Sequence, residues 1–273
     1  MPSIKSNVRV ACIVATLFFQ NQIALAGETM RIGGTGATNE MAKSLAPLFA
    51  AETGITLELI PSLGTSGGNN AVADSVLDVS ISARPLNAAE TAKGLTAVAE
   101  FRTPFGLVTS HSKPNGFKSA EFAQLYQSDK PVWQDGTPIR IILRPTNESD
   151  TFLMGQMLPS MAAAITKIRS RPDIMTAATD QDNAEMAEKT PGSLVGATLT
   201  QINMEKRNLR FVAIDGVKPT LDNYKNGTYP FGKSFYVVLA SKKSSTGERF
   251  LAFLRTPKGV AALQETGVVP GTQ

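Results

Sequence analysis

Cysteine, histidine and long apolar runs are what this sequence has least of. Its one cysteine, Cys12, lies near the N-terminus, so no disulfide or thiol chemistry is available beyond it. One histidine, His111, gives no basis for a Cys/His zinc site, and the acids are scattered instead of grouped as a hard-cation site requires. The longest apolar run, Val10 to Phe19, holds about ten residues, where a membrane-spanning helix needs about 20. Charge of one sign is also lacking. With 27 Lys and Arg against 23 Asp and Glu, the basic excess is too small for a nucleic-acid binder, whose cations would cluster on one face.

The N-terminus has the layout of a cleavable secretory signal over residues 1–26: Lys5 and Arg9, the apolar run, then Ala24-Leu25-Ala26 before Gly27. A mature chain from about Gly27 would carry a net charge of about +2, and its length suffices for one large domain or two moderate ones.

Hydrophobic periodicity in that portion alternates between period 2 and period 3.6. Met30 to Gly33 and Ile55 to Ile60 read as strands, with Met41, Leu45, Leu48 and Phe49 at helical spacing between them and Gly54 as the stop. A helix over Asn69 to Leu77, a strand DVSIS at Asp78 to Ser82 and a short helix from Asn87 to Lys93 follow. A long extended run, Ala97 to Ser110, then leads into a second α/β stretch. Its expected elements are helices at Ser119 to Gln127, Thr151 to Ile168 and Asp182 to Lys189, and strands at Ile139 to Leu143, Ser193 to Leu199 and Leu209 to Ile214. A strand Phe235 to Ala240 and helices Ser245 to Leu254 and Pro257 to Glu265 close the chain. The alternation predicts mostly parallel sheets covered by helices. Two such units joined by extended crossings predict two lobes with a cleft between them.

In open α/β sheets ligands sit beyond the carboxyl ends of strands, which singles out four segments: GGTGATN (33 to 39), GTSGGN (64 to 69), SARPLN (82 to 87) and RPTNESDT (144 to 151). Each supplies glycine, small hydroxyl or basic residues just before a helix. Unpaired N–H groups and partial positive charge at a helix start suit such segments to an oxyanion. The same residues are also ordinary helix caps. Gly64-Thr65-Ser66-Gly67-Gly68 additionally fits the GxSxG nucleophile elbow, and Ser66, Asp78 and His111 follow the hydrolase order. Asp78, however, opens a strand where the triad acid should end one, and His111 lies past the crossing. Dinucleotide binding fails because the third glycine of GxGxxG is Asn39, and no GxxxxGK occurs.

The succession GAT, GTSGG, D-hydrophobic-S-hydrophobic-S-A-R-P-L, Leu125-Tyr126 with Trp133, and Arg144 followed by Ser149-Asp150-Thr151 resembles the periplasmic phosphate-binding proteins of ABC importers. The resemblance covers nearly the whole mature chain. It implies an α/β, two-lobed type II periplasmic binding protein fold, each lobe a mostly parallel sheet flanked by helices. Lobe 1 would comprise residues 27–104 and 235–273 and lobe 2 residues 105–234, with hinge crossings near 98–109 and 228–240. It further implies a periplasmic, monomeric protein without catalytic residues or cofactor, which captures phosphate or a similar inorganic anion for an ABC permease in the inner membrane. A sensing or scavenging receptor of the same fold and a secreted serine hydrolase using Ser66 and His111 are the alternative roles.

Carried over position by position, the implied ligand contacts are Thr38 and Asn39, Thr65 with Ser66, Ser82 with Arg84, and Arg144, Ser149, Asp150 and Thr151. Arg144 is the principal cation, since a guanidinium binds tetrahedral oxyanions in bidentate fashion. Two departures stand out: the Arg144 to Ser149 gap is one residue longer than in the family, and Ala83 stands where many members carry an aspartate that accepts the phosphate proton. Such an acceptor penalises sulfate, which has no O–H to donate. Asp150 either replaces it or caps its helix.

Overall fold

The computed structural model describes residues 27–271 except Ser62 and Lys243, so the secretory signal lies outside the described residues. The chain opens with β1 (Thr29–Gly34), α1 (Asn39–Thr53), β2 (Thr56–Ile60), α2 (Gly64–Ala73), β3 (Val79–Ser82), α3 (Ala88–Ala92) and the long β4 (Leu95–Thr109). It continues through α4 (Phe122–Gln127), β5 (Arg140–Leu143), α5 (Ser149–Met157), α6 (Met161–Ile168), β6 (Met175–Thr176), α7 (Asp180–Lys189), β7 (Ser193–Thr198), α8 (Leu199–Met204), β8 (Arg210–Phe211) and α9 (Leu221–Lys225). β9 (Gly232–Ala240), α10 (Ser245–Leu254), α11 (Pro257–Glu265) and β10 (Val269–Pro270) complete it.

The sheet runs β2-β1-β3-β9-β4-β7-β5-β6, with β8 and β10 also paired to β4. Parallel pairing is confined to the two ends, β2-β1-β3 and β7-β5-β6. Between them β9 and β4 run antiparallel to each other and to their outer neighbours. β4 serves both ends: Leu95 to Pro104 pair with β9, and Phe105 to Val108 pair with β7.

The cores follow the same division. Met41, Leu45 and Phe49 form one stripe of α1 and pack with Ile32, Ile81, Val237 and Phe250 in a first core. There Phe49 meets Phe250 edge to face at 5.3 Å. Phe105, Trp133, Leu143, Met161 and Leu194 anchor a second core. Ile142, Val195, Ala184 and Ala187 fill the opposite face of that end of the sheet.

Several expected elements differ in extent: β9 begins at Gly232, three residues before the expected strand, and the helix expected from Ser119 opens with a 3-10 turn, Ser119–Glu121, ahead of α4. The single helix predicted over Thr151 to Ile168 is two, α5 and α6, because Pro159 cannot continue a helix and Ser160 takes a positive φ of 61°. The strand predicted over Leu209 to Ile214 keeps only the two residues of β8. Helix α2 starts at Gly64, so GTSGG is its first turn and not a loop before it. Close packing requires the glycine at 68 in this turn: a Cβ there would lie 2.6 Å from both Gly34 Cα and Ser80 Oγ. This glycine lets α2 lie directly against β1 and β3. Gly68→Ala should therefore destabilise the protein by about 1–3 kcal/mol, the usual cost of overpacking, despite the better helix propensity of alanine. Urea denaturation checks it, and an unchanged midpoint would show that α2 has room to shift.

Candidate functional site

The segment after β1 is shaped by two glycines. Gly34 has φ of +126° and no room for a side chain, since a Cβ would come within 2.2 Å of Ile81 O. A 3-10 turn over Gly36–Thr38 then leads into α1. Thr38 turns its hydroxyl inward to Thr35 O at 3.1 Å. Asn39 is buried and borders a crevice with Lys43 and Gln181. What this segment presents outward is backbone and one hydroxyl. The Ala37 N–H donates to Asp180 Oδ2 at 2.9 Å, and Thr35 Oγ1 donates to the same oxygen at 3.3 Å.

The second and third segments lock together. The Ala83 N–H donates to Thr65 Oγ1 at 3.0 Å, and Ser82 Oγ donates to Arg84 O at 2.6 Å. Arg84 donates from Nη1 and Nη2 to the two oxygens of Glu90, each at 2.8 Å, and from Nη2 to Ser66 Oγ at 3.1 Å. Glu90 also accepts from Asn69 Nδ2 at 3.0 Å and from the Asn87 N–H at 2.9 Å. Chiefly through the Arg84 hydrogen bonds, its carboxyl is pulled down to about 2. Arg84 is thus neutralised from within its own segment.

The fourth segment carries the deepest charges. Arg144, at the end of β5, is 6% exposed. Its Nη1 donates to Ala177 O at 2.7 Å, while Nη2 lies 3.5 Å from Asp180 Oδ1 and 3.4 Å from Glu148 Oε2. Its Nε is buried without a hydrogen-bond partner. Thr151 Oγ1 donates back to Arg144 O at 3.1 Å and Pro145 O at 2.9 Å, fixing the turn into α5. Asp150, buried in the first turn of α5, forms an ion pair with Lys233 of β9, which is itself 3% exposed. Burial works to lower the Lys233 pKa, but the Asp150 and Asp180 carboxylates outweigh it and hold the ammonium charged. Burial raises Glu148, against the pull of Arg144. Arg144 and Lys233 therefore share their space with three carboxylates, Glu148, Asp150 and Asp180, a set that sums to one negative charge when all are ionised.

A cavity of about 670 Å³ lies beside these groups, lined by Ala83 and Arg84 from the third segment, Glu148 and Ser149 from the fourth, and Lys233 of β9. Phe152, 67% exposed, stands at its side. The third and fourth segments thus meet in one space. The second joins them through Thr65 and Ser66, and the first reaches Arg144 through Asp180. The hydrolase residues do not come together as a triad. Ser66 is engaged by Arg84, Asp78 accepts from the Arg31 N–H at 2.7 Å, and His111 stacks on Trp133 at 5.0 Å with Asp135 3.5 Å from its Nε2.

Glu90, Asp180 and Lys233 were not singled out from sequence. Lys233 had a readable signal, because period 2 places it on the same side of β9 as Phe235, Val237 and Leu239. Glu90 had one too, three residues after Asn87 as a capping box. Asp180 had none, as an acid in the first turn of a helix is commonplace.

A family model described as a PBP superfamily domain matches residues 20–258. No curated protein matches the sequence. Among solved structures the fold is similar to a protein assigned as a phosphate ABC transporter substrate-binding protein from Clostridium perfringens, solved with bound phosphate (TM-score 0.74, 14% identity, 90% of this chain and 100% of that one). It is also similar to an ABC-type phosphate transport receptor from Vibrio cholerae (0.61, 14%, 89% and 100%). A periplasmic molybdate-binding protein from Azotobacter vinelandii matches at 0.59, with 15% identity over 89% and 100% of the two chains. The mixed sheet flanked by helices is the type II periplasmic binding protein architecture.

The Arg84–Glu90 pair gives the protein a defined acid sensitivity. A carboxyl depressed in the folded state contributes stability above its unfolded pKa of about 4.3 and loses it as pH falls toward about 2. Glu90→Gln should cost about 1–3 kcal/mol at pH 7 and flatten the decline of stability between those pH values. Urea denaturation of both proteins at pH 7, 4 and 3 measures it, and parallel declines would exclude Glu90 as the sensitive group.

Proposed function

The chain belongs to the PBP superfamily, and from that premise we propose that it is an extracytoplasmic substrate-binding protein that captures phosphate, or a related tetrahedral oxyanion, for an ABC importer. The proposal includes export by the signal over residues 1–26, a periplasmic mature chain from about Gly27, and delivery to a permease in the inner membrane. It divides the mature chain into a lobe of residues 27–104 and 235–273 and a lobe of 105–234, moving about the crossings near 98–109 and 228–240. The separate cores drawn from those segments support that division.

The observation that carries the reading is what the donors of the site already hold. The Ala37 N–H, the Thr35 hydroxyl and Arg144 surround the carboxylate of Asp180. They form a cradle of donors from two separate segments, matched to an oxyanion. Arg144 keeps a buried, unpartnered Nε–H besides, and Ser149 borders the adjoining cavity. Charge-assisted hydrogen bonds of about 1.5–3 kcal/mol each, less the costs of ordering and closure, reach micromolar affinity, about 8 kcal/mol. No general base or nucleophile is required.

Calorimetric titration of the purified protein with phosphate, sulfate and molybdate should show micromolar or tighter binding of at least one anion, and silence from all three would overturn the reading. Arg144→Ala should weaken the preferred anion at least about 100-fold, the equivalent of about 2.7 kcal/mol. Retained affinity would move the site elsewhere.

A further inference from the structure

Asp180 occupies the cradle from outside the segment that builds it. It opens α7, whose Ala184 and Ala187 pack in the core around Val108 and Val195, whereas Thr35 to Ala37 lead into α1, in the first core. The helix does not need Asp180 as a cap. Thr179 Oγ1 accepts from the Asp182 N–H at 3.0 Å and the Asp182 carboxylate accepts from the Thr179 N–H at 3.0 Å, which completes a capping box without it. Its backbone is held by Gln201 Nε2, which donates to Asp180 O at 3.0 Å. The neighbouring Gln181 donates from Nε2 to Gly36 O at 2.9 Å. Gly36 must be glycine for this approach, since a Cβ there would lie 2.5 Å from Gln181 Oε1 and 3.0 Å from Asp180 Oδ2. The α7 start and the β1–α1 turn are thus fitted to each other, with a carboxylate in the place the proposed function gives to the ligand.

We propose that Asp180 is an intramolecular competitor for the oxyanion: its carboxylate straps the β1–α1 turn to Arg144 in the ligand-free protein and leaves the cradle when an oxyanion enters. This rests on the oxyanion reading above. An entering anion and Asp180 cannot share the Ala37 N–H, and like charges held side by side repel. With Glu148 and Asp150 already facing the two cations, an entering anion adds to the negative charge around Arg144 and Lys233. The affinity of the protein is therefore the difference between the contacts of the ligand and those Asp180 gives up. Asp180 sets a floor that weak oxyanions do not cross.

The test is calorimetric titration with inorganic phosphate, sulfate and molybdate of the wild-type protein, Asp180→Ala and the near-isosteric Asp180→Asn, with thermal melts confirming that each is folded. Hydrogen exchange at the Ala37 amide of the ligand-free proteins is measured alongside. The expected result is anion binding about tenfold or more tighter in both variants, with faster Ala37 exchange in Asp180→Ala. A weak anion that binds only the variants, beside one that also binds the wild-type protein, would support the competition most directly. Equal or weaker binding in both folded variants would overturn the competition and leave the oxyanion reading standing. Absence of binding in all three proteins would overturn both.

Discussion

Two cations, Arg144 and Lys233, lie below the surface between the two main cores, and the charge of each must be matched where it sits. An unmatched buried ion costs several kcal/mol, so the positions of Asp150, Asp180 and Glu148 are consequences of those of the cations. Lys233 is the more constrained. It projects from β9 in line with core residues and is almost wholly buried, which commits the first turn of α5 to supply its partner. Arg144 is held by Ala177 O on one side and Asp180 on the other. The charged cluster thereby ties together β5, α5, α7 and β9, elements that no single core joins.

The sheet explains how these elements arrive at one place. A purely parallel sheet would keep strand ends of one polarity along one edge. Here two parallel triplets face each other across the antiparallel pair of β4 and β9. The segments after β1 and β3 approach from one triplet, and that after β5 from the other, so helix starts from both ends of the sheet converge. β4 runs through both sets of pairings as one strand, with a register shift against β9 between Ala97 and Ala99. Relative movement of the two ends would therefore work against its ladder and that of β9, whose residues Lys233 and Ser234 border the cavity.

What was legible in the sequence is what local chemistry decides. Helices α10 and α11 have the expected bounds because Ser244 and Thr256 cap them and an apolar stripe defines each. The four glycine and hydroxyl segments were legible as helix starts for the same reason. Less legible was the purpose of each glycine: Gly68 lets a helix approach two strands, and Gly36 lets the α7 start approach a turn. Neither depends on its own neighbours in sequence. The partners in the site were beyond reach, since Ala37 and Asp180 are 143 residues apart and Asp150 and Lys233 are 83 apart. Arg84 shows the limit from the other side. It stands where an anion contact was expected, yet Glu90, six residues on, engages it in bidentate fashion.

The completeness of these pairings bears on how the cleft would respond to a ligand. A ligand shifts a conformational equilibrium only by the difference in its interactions with the two states. In a cleft whose cations faced water until closure, that difference would include the full desolvation and pairing of an arginine. In this protein Arg144 and Lys233 are already desolvated and paired, and those contributions cancel between the free and bound states. What remains is narrower: the unpartnered Nε–H of Arg144, the hydroxyl of Ser149 at the cavity wall, and the gain from exchanging the long contacts of Asp180 at 3.3 and 3.5 Å for shorter ones. On the proposed function, discrimination among oxyanions would then depend on fit at these few points more than on total charge, because both cations are paired before any ligand arrives.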